Sequence, residues 1–346
     1  MITYCTSQSC HLPEPFVHSS QGEARHPMTS STAPMRASLM HHLEEAFEEN
    51  NVANELLESM LSMEEACLCT IPERDMPSLP TRARAIAMSF LWCSPLGMGL
   101  SQNLKIRASQ ILDLSCRVAQ EEMESRAAFI AAAGALMLAA KVEPSMKNPT
   151  HAEWTNMCSI ASDVSAGVGC GVLSSTDIEA EESELLRMVV EVLAAPTAQS
   201  WMDVFGGRFE VVLQGRTLVD AEDIARVVSR ASAFAADIVY QSPIAEDQPP
   251  FVVALGCFIL ALLAEGLITQ ELVGPQNDQI DAALANARVR EEQRRKQQRG
   301  PVPAPPREWG WQEPPRLMFP ALLVAAGCDE SAASRATCKV AELLSC

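Results

Sequence analysis

A chain of 346 residues is long enough for two ordinary domains, and its formal charge of -18 argues against nucleic acid as the main partner. Hydrophobic residues make up 48% and aromatics only 5%, so Ala, Leu, Met and Val must fill the core, which suits helices better than sheets. Twelve cysteines without a CxxC pair read as thiols buried as small hydrophobes in a reducing compartment, not as a disulfide framework.

Residues 1–40 are rich in Ser, Thr, Pro and His and poor in large apolar side chains, so a disordered segment is expected there. The start, MITYCTSQSC, has no basic cluster or long apolar run, and no signal peptide is expected. Residues 41–80 read as a helical segment and a connector. From His41 to about Cys69 the apolar residues Leu43, Phe47, Leu56, Leu57, Met60, Leu61 and Met63 recur at helical spacing, with Glu on other faces. Cys67 and Cys69 with His41 and His42 make a zinc site conceivable, but the ligand spacing is poor; no metal and no cofactor are expected. Ile71 to Pro80 is punctuated by proline.

Thr81 caps a helix to about Leu91, Pro95 and Gly97 break the chain, and a further helix runs from about Gln102 to Val118. Then Ala127 to Ala140 gives fourteen residues without a charge. A helix apolar all round is buried all round. At about 1.5 Å per residue the run spans roughly 21 Å, short of a ~30 Å hydrocarbon core, so it reads as a core helix and not as a membrane span. It stops at Lys141-Val142-Glu143-Pro144. A short helix, about His151 to Ala161, precedes a Gly- and Ser-rich insertion at 162–175. No strand comes before those glycines and no Lys follows, so a flexible loop is expected, not a phosphate cradle. Thr176-Asp-Ile-Glu179 has the form of a capping box, opening a helix to Ala195.

The second half predicts helices over Thr197 to Phe205, Asp220 to Val239 and Pro250 to Ala264. Phe251 to Ala264 is apolar throughout and echoes the first core helix. Residues 268–316 interrupt the rhythm with the charged VREEQRRKQQR, a solvated helix or a disordered basic patch, and a Pro-rich stretch that reads as an extended linker. Phe319 to Cys346 gives two short helices joined at Gly327. The expected fold is all-α. Two helical domains, 81–195 and 196–346, would each be wrapped on a central apolar helix, the second carrying the 268–316 insertion.

The order of several segments resembles the cyclins, most closely the D-type. LLESMLSMEEAC (56–67) is similar to the helix before the cyclin box, RAIAMSFL (84–91) to its first helix and LMLAAKVE (136–143) to the end of its central helix. Glu182 to Thr197, ending in LAAPT, is similar to the fifth helix and the connection onward, and Phe319 to Thr337 to the last two helices of the second fold. The resemblance implies two tandem five-helix cyclin folds and a regulatory subunit that binds and activates a cyclin-dependent protein kinase in cell-cycle control, in nucleus or cytoplasm. It implies a structural ion pair between Arg84 and Asp113. It implies kinase contacts from Lys141 and Glu182, with Leu138, Val142, Leu186 and Leu193 as the apolar part of that interface. It also implies that Ala83, Ile86, Ala87 and Phe90 line a groove for Arg-x-Leu motifs of substrates or inhibitors. Ala83 and Phe90 stand where the family carries Met and Trp, and the insertions at 162–175 and 268–316 depart from it.

Two other classes compete. One is a cyclin-like adaptor, or a transcription-type cyclin fold, that scaffolds proteins without activating a kinase. The other is an enzyme, for which no catalytic constellation is visible: the one Cys–His pairing that a short helix could make, Cys158 with His151, needs a shielded cleft and an orienting group.

Overall fold

Two apolar helices, each sheathed by its neighbours, organise the chain. The computed structural model describes residues 51–70, 81–94, 100–119, 124–142, 150–190, 193, 195–213, 219–241, 249–274, 277–297 and 314–345. They form α-helices joined by turns, with no strand among them. The fold is all-α. The expectations for residues 1–40, for His41 to Asn50 and for the Pro-rich stretch up to residue 313 fall outside the described residues; its last residues, from Pro314, are helical and not extended.

In the first half, α1 (Asn51–Thr70), α2 (Thr81–Cys93), α3 (Gln102–Ala119), α4 (Ser125–Val142), α5 (His151–Gly167) and α6 (Ser175–Val189) follow one another. The apolar run predicted from sequence lies in α4, whose residues from Ala131 to Ala140 are all buried. At eighteen residues α4 is long and apolar enough to cross a membrane, but 67% of it is buried inside the protein. Its surface is taken by α2, α3, α5 and α6. Alanine is the reason: a helix with so many small side chains admits close neighbours on every side.

The second half contains α7 (Ala198–Leu213), α8 (Ala221–Gln241), α9 (Pro250–Ala264), the single turn α10 (Gln270–Val273), α11 (Asp278–Gln297), α12 (Pro314–Ala326) and α13 (Glu330–Ser345). Here α9 is the buried axle. It packs against α7, α8, α11 and α13, and every residue from Val253 to Leu262 is buried. Gly256 sets the approach of α13, because a Cβ there would lie 2.5 Å from the Ala336 carbonyl oxygen and from Val340 Cγ2.

The buried residues gather into two hydrophobic clusters, one around α4 and one around α9. All described residues lie in one unit, Leu39–Cys346, and α3 packs against α7 and α8 to join the halves. Helix α1 belongs with the second cluster although it precedes the first. Its buried stripe, Leu57, Met60, Glu64 and Cys67, recurs every three to four residues. Leu57 and Met60 enter the cluster around α9. The Glu64 carboxylate accepts from Trp201 Nε1 and from the Phe251 backbone N–H at 3.1 Å.

Several boundaries differ from those expected. Helix α5 continues to Gly167, so only residues 168–174 of the expected loop remain, with Gly169 and Gly171 at positive φ. The capping box before α6 is Ser174 with Asp177, two residues upstream of the expected one: the Asp177 N–H donates to Ser174 Oγ at 3.0 Å. That helix ends at Val189, not Ala195. Helix α7 runs through Gly206-Gly207 to Leu213 because Phe209, Val212 and Leu213 are buried beyond them. Gly206 is there for space, since a Cβ would meet Val228 Cγ2 at 2.6 Å. Part of the segment expected as an insertion is structural: Ile280 and Ala283 of α11 are buried, against α13.

Candidate partner-binding site at the end of α4

The buried helix α4 surfaces at Lys141. Alanines and leucines hold the backbone in the core up to Ala140, and the next side chain leaves it, 47% exposed. Its ammonium donates to Glu182 Oε1 at 2.5 Å. Glu182 sits on α6 with its side chain only 10% exposed, so this carboxylate is largely removed from water. The approach of α6 depends on Gly134. A Cβ there would stand 3.1 Å from the Glu182 backbone N and from Leu185 Cδ1. Two helical turns separate Gly134 from Lys141, so the glycine that lets α6 lie close to α4 also brings Glu182 within reach of the lysine.

Trp154 closes the third side. It lies in the first turn of α5, which the Thr150–Glu153 capping box opens, and the Lys141 ammonium stands 4.6 Å from its ring centroid. Around this charged pair the apolar residues divide. Leu186 is 42% exposed and Val190, one turn on, is 56% exposed. Val142 and Leu193 are half-buried, and the Leu193 carbonyl accepts from Arg107 Nη1 of α3 at 2.8 Å.

Leu138 has to be corrected: it is buried among the side chains around α4 and offers no surface to a partner. Three groove residues are corrected with it. Ala83, Ala87 and Phe90 are buried in the same cluster, the Phe90 ring 4.6 Å from that of Phe129. The alanines let α2 lie directly on α4, so the face that carries them is interior. Ile86 is half-buried and packs on the same cluster.

Arg84 and Asp113 form a buried ion pair. The guanidinium donates from Nε and Nη2 to the two carboxylate oxygens, each at 3.2 Å. It also donates to the backbone carbonyls of Val239 at 2.7 Å and Tyr240 at 3.1 Å. One side chain thus joins α2, α3 and the last turn of α8. Twenty-nine residues separate the pair, but the carbonyls lie about 155 positions away, a reach that spacing within one half cannot show.

Trp154 and Val190 were missed as surface residues. Val190 stands four residues after Leu186, which is one face of a helix. Trp154 gave no signal beyond being an aromatic in an aromatic-poor chain.

A nucleophilic role for the Cys158 thiol has no support. Cys158 is buried, and burial, then the charge of Glu179, pushes its thiol up from the ordinary range. The thiolate, not the thiol, is the nucleophile. Among the described residues no three His, Cys, Asp or Glu side chains are placed to hold a metal ion. No protein-family model and no curated protein matches this chain.

Proposed function

We propose that this chain is a cyclin-like regulatory subunit that binds and activates a cyclin-dependent protein kinase. The observation that carries the reading is the Lys141–Glu182 pair at the solvent end of a buried helix, flanked by exposed Leu186 and Val190. Charges fixed on a rigid core and bordered by exposed apolar side chains have the character of interface anchors. The resemblance of segments 136–143 and 182–197 to the cyclin motifs supplies the partner class. Support also comes from two helical clusters, each with a central apolar helix, and from the buried Arg84–Asp113 pair.

The mechanism follows from population shift. A surface that binds the active arrangement of a kinase more tightly than the inactive one selects it, and moving a kinase from 1:99 to 99:1 takes about 5.5 kcal/mol of differential binding. The Arg-x-Leu groove is not part of this proposal, because Ala83, Ala87 and Phe90 are interior. Their burial favours the second reading, an adaptor with the same fold that joins proteins without presenting substrates to a kinase.

The test is binding and phosphotransfer with a panel of purified cyclin-dependent kinases. Wild-type protein should bind at least one and raise its activity, and Lys141→Ala with Glu182→Ala should abolish both while leaving the thermal unfolding midpoint near wild type. Binding without activation favours the adaptor. If no kinase binds, or if the double variant binds and activates like wild type, the proposal is wrong.

A further inference from the structure

Pairing with Glu182 does not account for all that holds Lys141. A lysine stem carries one of the largest rotamer entropies of any side chain, yet Lys141 is nearly half exposed and still fixed on two sides. The second side is the Trp154 indole, 4.6 Å from ammonium to ring centroid. The ring is itself anchored. Trp154 is half-buried and packs on the cluster around α4. Its helix is fixed at that end by reciprocal bonds: the Thr150 N–H donates to Glu153 Oε2 at 2.7 Å, and the Glu153 N–H to Thr150 Oγ1 at 3.3 Å. A cation over an aromatic face is attracted by the ring quadrupole. The Lys141 ammonium is thus held by the ring on one side and by the Glu182 carboxylate on another.

We propose that Trp154 is a positioning residue: it holds Lys141, before any partner arrives, in the conformer that meets Glu182. An anchor already ordered loses less freedom on binding, so the indole strengthens the contact without touching the partner. The consequence for binding rests on the kinase-subunit reading; the positioning is a property of the free chain.

The experiment has two arms, both on the full chain. The first is NMR of the lysine side chains, which is tractable because the chain has only five lysines; Lys141→Gln assigns the signal. The Lys141 ε-methylene protons should lie upfield of those of the other lysines through the indole ring current. Trp154→Phe should keep most of that shift and Trp154→Leu should remove it. An unshifted wild-type signal, or one unchanged in Trp154→Leu, overturns the proposal. The second arm measures affinity for the kinase that wild type binds. Trp154→Leu should weaken it roughly two- to fivefold, the worth of an exposed to half-buried cation–π contact, and Trp154→Phe should restore part of the loss. On a Lys141→Gln background Trp154→Leu should add nothing. An equal loss on that background means that Trp154 acts through core packing, which also overturns the proposal. If wild type binds no kinase, the kinase reading falls and the first arm decides the role of Trp154 alone.

Discussion

Replacing Arg84 with Met should be among the most destabilising single changes in this chain. Asp113 is 5% exposed, and the guanidinium supplies it with two hydrogen bonds while two more end on the carbonyls of Val239 and Tyr240. Methionine keeps much of the stem and none of the donors. Removing one partner of a buried pair costs about 3–5 kcal/mol, because a charge is left in low dielectric. For a cooperative unit of roughly 300 residues, an unfolding entropy of about 2.1 cal/mol/K per residue gives about 0.6 kcal/mol/K, so the midpoint should fall by about 5–8 °C. Scanning calorimetry of Arg84→Met, Asp113→Leu and the double variant measures this. The double should cost at least ~1 kcal/mol less than the sum of the singles, since each single leaves the other charge behind. Arg84→Lys should recover only part of the loss, because an ammonium cannot serve two carboxylate oxygens and two carbonyls at once. Additive singles, or a midpoint drop under about 2 °C, would refute the reasoning.

Three further outcomes are expected. Gly256→Ala should lose about 1–3 kcal/mol in denaturant unfolding, since its Cβ would fall 2.5 Å from the Ala336 carbonyl and Val340, and overpacking on that scale moves backbone; a neutral change would mean that α9 and α13 lie farther apart. Gly134→Val should push α6 from α4 and part Lys141 from Glu182, seen as loss of partner binding together with a lower melting midpoint. The third concerns pH. Burial raises the Glu64 carboxyl above its ordinary 4.5, against the lowering bonds from Trp201 and Phe251. A carboxyl raised on folding contributes stability that is full below its unfolded pKa and lost as pH rises through the folded one. The stability of wild type relative to Glu64→Gln should therefore fall as pH rises from below 4.5, measured by denaturant midpoints across that range, and a slope of the opposite sign would overturn the assignment.

The all-α class was legible in the sequence because hydrophobic periodicity and alanine content are local. The helix Pro250–Ala264 was bounded correctly for the same reason: Pro249-Pro250 starts it, and the apolar run ends where Glu265 begins. The helix expected to end at Phe205 continues through Gly206 to Leu213. Alone, a Gly-Gly pair looks like a break, and only the presence of Val228 on α8 shows that the glycine makes room. The placement of α1 was hidden in the same way, since a stripe of Leu57, Met60, Glu64 and Cys67 says that one face is buried but not which cluster receives it. Of the candidate site, the exposed end of α4 was legible at Lys141, where an apolar run meets a charge. Leu138 shows the limit: it shares a face with Lys141 at i and i+3, but α4 is covered on all sides from Ala131 to Ala140. Which residues of one face reach solvent depends on where the neighbouring helices stop, and no pattern within α4 records that.

Two charge pairs of the first half, Arg84–Asp113 and Lys141–Glu182, make the last prediction, because they are built alike and placed differently. Arg84–Asp113 has side chains 9% and 4% exposed; Lys141–Glu182 has 47% and 10%. The exposed lysine is screened by water and salt, so its pair contributes about 0–1 kcal/mol to the fold, although its distance is shorter. Lys141→Gln should accordingly shift the midpoint by less than about 2 °C, by the same entropy that gives Arg84→Met about 5–8 °C. Partner binding should invert the order: Lys141→Gln weakens it the more, to a measurable residual affinity, and Arg84→Met lowers it only in proportion to the fraction unfolded. Measuring midpoint and affinity for both variants separates a contact that holds the protein together from one that the protein holds out. If Lys141→Gln melts like Arg84→Met, the pair belongs to the core and the end of α4 is not a binding site.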